Sequence, residues 1–311
     1  MNLLLHFLSL LVKRIAWMAL TLWVVFTISF LLMYSVPGGP FSSEKKLPPA
    51  IQRNIDAKYK FDDPLILQYR DLLLDYLRLD FRASFKIEDF TVNEIIAQSF
   101  PASAALGIIS LTLALVVGMT AGVISAVNRN TPIDYFFMSI ATLGIAIPLF
   151  VLSTIAVLVV VFGLGLLPPA GWGAMNQIIL PACCLAAPYA AYIARLTRAG
   201  MLDVLSLDYI RTAYAKGLAP RTVIVRHALQ GALLPVVSFI GPAAAGILTG
   251  SLVVERIFNI PGMGSFFVEA AQQRDYTLAM GMVMLYTFMV YLLNMMVDLS
   301  YAILDPRVKM S

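Results

Sequence analysis

YFFMSIATLGIAIPLFVLSTIAVLVVVFGLGLLPPAGWGAMNQIILPACCLAAPYAAYIA, residues 135–194, runs without one charged side chain. A helix crosses the roughly 30 Å hydrocarbon core of a bilayer in about 20 residues, so this run is long enough for two spans. Its natural cut is GLGLLPPAGWG, Gly163–Gly173, where glycines and prolines punctuate the chain. Outward from it lie four more apolar stretches: Ile15–Val36, Phe100–Asn128, Ala228–Val254 and Tyr276–Leu304, the last interrupted only by Asp298. The pattern predicts an all-α membrane protein with six spans. Composition agrees, because 311 residues at 60% hydrophobic and 13% charged cannot clothe a soluble domain in water-facing surface.

Charge distribution sets the expected orientation. A formal charge of +4 would suit a nucleic-acid binder, but outside the long 37–99 segment, whose length exempts its nine basic residues from the loop-charge rule, most positive residues sit in short loops and end segments, where they mark the cytoplasmic side. An inside N-terminus places Lys13, Arg14, Arg129, Arg195, Arg198, Arg211, Lys216, Arg221, Arg226, Arg307 and Lys309 in the cytoplasm and leaves Arg256 and Arg274 in short outer loops. Both termini then come out cytoplasmic. The first apolar run is too long for a signal peptide and ends in PGGP rather than a small-residue cleavage site. Cys183 and Cys184 are neighbours inside a span, without the separated, convergent partners that a structural disulfide or metal site requires, and read as small packing residues.

The reading divides the chain into an N-terminal segment with the first span (1–36), an external insertion (37–99), a five-helix core (100–304) and a tail (305–311). Within the insertion, Asp63 and Pro64 read as N-cap and N1, with Leu65, Tyr69, Leu72, Leu73 and Tyr76 on one helical face. Thr91 and Glu94 form a capping-box pattern ahead of a short helix before the second span. The insertion is either a cap packed on the bundle or a docking surface. Residues 195–229 read as helix, turn, helix: Asp208 can cap Tyr209–Lys216, Gly217 is a C′ glycine, and Pro220 starts the next helix. Such a basic loop is either a topology anchor or a helix presented to a cytoplasmic partner.

No G-x-x-x-x-G-K-[ST] phosphate loop occurs, so nucleotide energy would have to come from another polypeptide. The one intramembrane ionisable residue read from the pattern is Asp298, near enough to the cytoplasmic end to reach water, and a structural role is expected of it rather than a proton relay. Glycines and prolines recur within the spans, as in Gly118, Gly122, Pro188 and Pro242, and suit close packing or a moving bundle. These residues leave two classes open: a self-sufficient secondary transporter, and a membrane subunit driven by separate ATPases.

Four ordered stretches narrow the choice: PGGPF (Pro37–Phe41), YIRTAYAKG (Tyr209–Gly217) with RHAL (Arg226–Leu229), VVERIFNIPGMG (Val253–Gly264), and RDYTL (Arg274–Leu278), with a closing Asp305-Pro306. In these the chain resembles the OppB-type permease subunits of bacterial ATP-binding cassette (ABC) peptide importers, over essentially its whole length. The resemblance implies a type-1 importer permease fold in the bacterial inner membrane, working by alternating access. It also implies a second similar permease subunit, two cytoplasmic ATPase subunits that carry the ATP and Mg, and an external peptide-binding protein, with no cofactor on this chain. A permease for another solute, such as a nickel chelate or modified peptide, is the alternative. The resemblance assigns ATPase coupling to Tyr209, Arg211, Ala213, Ala215, Lys216 and Gly217. Arg211, Thr212 and Ala213 stand where the wider superfamily has Glu-Ala-Ala, so no electrostatic role is carried to that position. On the outer side Phe258, Pro261, Gly262, Met263, Gly264 and Phe266 are either a plain turn or a gate and binding-protein contact, with Phe258, Met263 and Phe266 expected to supply apolar surface.

Overall fold

The computed structural model describes residues 2–35, 63–87 and 89–304, with side chains for all of these except 2–10, 249–250 and 297–304. Pro37–Phe41, the Asp298 side chain, Asp305, Pro306, Arg307 and Lys309 therefore lie outside the described residues. Among the described residues the chain is helical, with a single isolated antiparallel bridge between Ala83 and Thr91.

The helices are α1 (Asn2–Ser35), α2 (Leu65–Leu77), α3 (Val92–Val127), α4 (Pro132–Ala146), α5 (Leu149–Ala156, prolonged by a π-helical Val157–Gly163), α6 (Met175–Leu205), α7 (Asp208–Ala215), α8 (Pro220–Thr222, a π-helical Val223–Ala228, then Leu229–Ala232), α9 (Leu234–Ile257), α10 (Met263–Gln273) and α11 (Tyr276–Leu304). Five are long and apolar enough to cross a membrane: α1, α3, α6, α9 and α11. A sixth crossing exists only if α4 and α5 are taken together, and they meet at a bend of 110°. The third of the expected spans is thus a bent pair of helices. Pro148 lacks an N–H and forces extended backbone on Ile147 (ψ 123°), which ends α4 and restarts the chain as α5. The predicted cut at Gly163–Gly173 holds, since α5 ends at Gly163 and Gly165, Gly171 and Gly173 take positive φ.

In hydrocarbon a polar side chain must bond within its own helix or to a neighbour. Thr112, Thr120, Thr142 and Thr154 each donate to the carbonyl four residues back, at 2.7–2.8 Å.

The chain forms two compact units, residues 1–100 with 266–291, and residues 101–265 with 292–311. These cut the chain elsewhere than the sequence boundaries. In the first unit Phe26, Phe30, Leu72, Tyr76 and Met280 share one buried cluster, so the first span, the insertion helix and the start of the last span make a common core. Of the face expected of α2, Tyr69, Leu72, Leu73 and Tyr76 pack there, with Tyr69 and Tyr76 edge-on to Phe26, whereas Leu65 in the first turn is 56% exposed because it lies beyond the cluster. Pro64 is the N-cap of α2 rather than N1, and no side chain caps it. Thr91 and Glu94 do form the capping box, at 2.8 and 3.2 Å, but it opens α3, which runs on through Pro101 without a separate short helix. Asp275 caps α11 through Leu278 N–H (3.1 Å) and accepts the Phe85 N–H (3.2 Å), which gives the RDYTL stretch a structural task.

In the second unit α6 approaches α3 and α8 so closely that side chains are excluded at the crossings. A Cβ on Gly118 would stand 2.6 Å from the Ala190 carbonyl, one on Gly122 2.6 Å from that of Ala194, and one on Gly200 2.4 Å from that of Ala232. Cys183 and Cys184 are free thiols, the first exposed and the second buried.

Candidate functional site

α7 sits on a two-residue turn after α6 and is amphipathic at short range. Ile210 (1% exposed) and Ala213 (7%) face inward, where they share a buried cluster with Ala126, Met201, Val223, Ala228 and Ala232. Tyr209, Arg211, Thr212, Tyr214, Ala215, Lys216 and Leu218 face outward. The C-terminal stop is a Schellman turn: Gly217 N–H donates to Tyr214 O (2.9 Å) and Leu218 N–H to Ala213 O (3.4 Å). Gly217 holds φ +78°, the left-handed conformation its place required, and Pro220 starts α8 as N1. Asp208 is the first residue of α7 and not its cap; Leu207 occupies the N-cap with no side-chain bond. Tyr209 donates to the His227 carbonyl at 3.3 Å, which ties α7 to the π-helical turn carrying RHAL. Arg211 lies 3.6 Å from Asp208, but both are solvated and such a pair contributes little.

The structure thus brings Tyr209, Arg211, Ala215, Lys216 and Gly217 onto one exposed element and removes Ala213 from it. Ala213 cannot face a partner groove because the inward stripe of a two-turn helix is needed to hold α7 on the bundle.

The Phe258–Phe266 stretch is also reassigned. Phe258 and Met263 are each 1% exposed, so they are interior and do not supply the expected apolar surface. Phe266 is half-buried in the other compact unit, and Pro261 alone of the six expected residues is exposed. The cause is Glu255, a residue the sequence reading left unremarked. Its carboxylate is wholly buried and accepts the Ser103 hydroxyl (2.7 Å) and the Gly264 N–H (2.7 Å), while Met263 N–H donates to Ser103 Oγ (2.9 Å). The first turn of α10 is thereby wrapped on the acid, a favourable placement for negative charge. A Cβ on Gly262 would lie 2.3 Å from Glu255 Oε2, and one on Gly264 2.5 Å from Leu252 Cα. The glycines of PGMG are there to admit this carboxylate, and an acid at the end of an apolar run ahead of two glycines was the available signal.

A second acid also escaped the sequence reading. Asp134, 2% exposed in the first turn of α4, accepts both arms of the Arg198 guanidinium (Nε and Nη2, each 2.7 Å), the Asn130 N–H (2.9 Å) and the Ser125 hydroxyl. The charge pattern marks Arg198 only for topology. Among the described residues no group of three or more His, Cys, Asp and Glu side chains could hold a metal.

Apolar helices of spanning length, glycine-mediated crossings and a short polar-faced helix held outside them define an all-α, multi-pass membrane protein. The chain belongs to the family of binding-protein-dependent transport system inner membrane components, whose model matches residues 118–310. It is 45% identical to the dipeptide transport system permease protein DppB of Bacillus subtilis over 299 residues, 96% of this chain and 97% of the relative. To the oligopeptide transport system permease protein OppB of Salmonella typhimurium it is 45% identical over 291 residues, 93% and 95% of the two chains. Its fold matches that of the MetNI methionine ABC transporter in inward-facing conformations (TM-score 0.56, 18% identity, 68% of this chain and 96% of that one). An amino acid ABC transporter solved with histidines gives a TM-score of 0.54 at 15% identity, over 67% and 93%. The chain therefore has the type-1 importer permease fold.

Proposed function

We propose that this chain is a permease subunit of an ATP-driven peptide importer of the bacterial inner membrane. The observation that carries the reading is identity of 45% to peptide permeases over nearly the full length of both chains. In that reading the chain performs no catalysis. It pairs with a second similar permease, receives peptide from an external binding protein, and is driven by two ATPase subunits on which ATP and Mg bind. No cofactor is held by this chain.

Within such an assembly α7 is the ATPase-docking helix. A short helix can transmit rigid-body motion from a groove through packed side chains. Here the outward face offers Tyr214 and Leu218, 43% and 38% exposed, with Arg211 and Lys216 beside them. The inward face keeps α7 fastened to α6 and α8, so displacement of the helix is displacement of the bundle. Both termini and residues 195–229 lie in the cytoplasm, and 255–275 lie outside. The outer stretch is a turn built on Glu255, and contact with a binding protein there is made through its exposed residues, Asn259 and Pro261.

The test is peptide uptake in cells lacking this chain. Restoration by the wild-type chain, with radiolabelled dipeptides or oligopeptides accumulating only while ATP is present, supports the reading. Restored uptake of a metal chelate but not of any peptide would replace it with the other-solute alternative.

A further inference from the structure

The Asp134–Arg198 pair stands where α3, α4 and α6 meet. Arg198 is seven residues, about two turns, before the end of α6 at Leu205, and α7 begins three residues later. Asp134 lies in the first turn of α4, the first half of the bent pair. Ser125 and Asn130, which also bond the carboxylate, belong to the end of α3 and the turn that follows it. Every partner of this buried acid is therefore on a different segment, and its lone pairs are fully engaged. A bidentate arginine fixes distance and plane together, which a single contact cannot do.

Three further contacts weld the same segments. Gly122 of α3 admits the backbone of α6 at Ala194, Gly200 of α6 admits that of α8 at Ala232, and Ala126 shares the buried cluster of Ile210 and Ala213. By contrast, α4 leaves its far end through the 110° break at Ile147–Pro148, where no i to i−4 ladder continues.

We infer that Asp134 and Arg198 are positioning residues that tether the bent pair α4–α5 to the base of α7, so that displacement of α7 is delivered to α4 and taken up at the break before α5. This rests on the reading of α7 as the ATPase-docking helix. The end of α3, the start of α4, the end of α6, α7 and α8 then move as one block, and the moving joint is Ile147–Pro148.

The experiment uses the reconstituted complex with its ATPases and binding protein, and compares Arg198→Lys, which keeps the charge but loses the two-armed geometry, with wild type. Peptide transported per ATP hydrolysed should fall about tenfold, a usual size for a coupling between sites, while ATPase co-purification and basal hydrolysis persist. A wild-type ratio in the assembled variant would overturn the tether. Because the variant can also fail to assemble, a second measurement uses spin labels at Arg129→Cys and Thr212→Cys in a chain lacking Cys183 and Cys184. The separation between the labels should be the same without nucleotide and with trapped ATP, and a change between the two states would overturn the rigid block. Failure of the docking reading has a separate signature: Tyr214→Ala with Leu218→Ala would then leave ATPase co-purification untouched.

Discussion

Two glycines with left-handed or crowded surroundings illustrate how differently one substitution can act. Gly217 has φ +78° and open space where a Cβ would go, so Gly217→Ala meets only the conformational cost of about 1 kcal/mol. Gly264 has ordinary helical backbone, but a Cβ there would meet Leu252 Cα at 2.5 Å, and main chain cannot move aside cheaply. Gly264→Ala is expected to destabilise the purified chain by about 3 kcal/mol or more, visible as a several-degree loss of midpoint in thermal unfolding in detergent. Gly217→Ala should shift it by far less. Glu255→Gln keeps the volume but puts an N–H₂ group in place of one of two oxygens that each accept a hydrogen bond, so it is expected to cost about 2 kcal/mol by the same measurement. Gly217 was legible in the sequence because a C′ glycine follows from local helix chemistry. Glu255 and Asp134 were not, because their partners Ser103 and Arg198 lie 152 and 64 positions away, and no local pattern announces a contact at that range.

At the scale of the element, periodicity and capping signals read well where a helix is short and flanked by turns. The extent of α7, its glycine stop and the proline start of α8 all followed from residues within one turn of each boundary. Which side of α7 is free did not follow, since Ala213 could face either way until α3 and α8 were in place. Ala213→Trp would force a large ring into the cluster of Met201, Ile210 and Val223, so it should disrupt the chain itself before any partner is met. The informative change is Tyr214→Ala with Leu218→Ala on the exposed face. It is expected to alter the stability of the isolated chain by no more than about 0.5 kcal/mol while reducing ATPase co-purification severalfold in pull-down from membranes. The bent pair marks the opposite failing: hydropathy sums over a window and is blind to direction, so 135–163 registered as a span while Pro148 turned it through 110°.

For the whole molecule, apolar run lengths placed the long helices α1, α3, α6, α9 and α11, and the charge pattern proposes their orientation. Arg70 and Arg211 have well-exposed side chains (62% and 76%) on opposite expected sides. In intact cells an impermeant maleimide is expected to label Arg70→Cys and to spare Arg211→Cys until the membrane is opened; the reverse pattern would invert the topology. The partition into two compact units was hidden from the sequence, because it depends on Met280 closing a cluster with Phe26 and Tyr76 from far along the chain. The central claim is that this membrane chain moves peptide only when ATPase subunits drive it. Its most direct test is radiolabelled peptide uptake into proteoliposomes holding the full complex, with the binding protein supplied outside together with the peptide. The predicted result is uptake that requires hydrolysable ATP at the ATPases and vanishes when they are omitted. Uptake that continues without ATPase subunits, driven by a proton or sodium gradient alone, would contradict it.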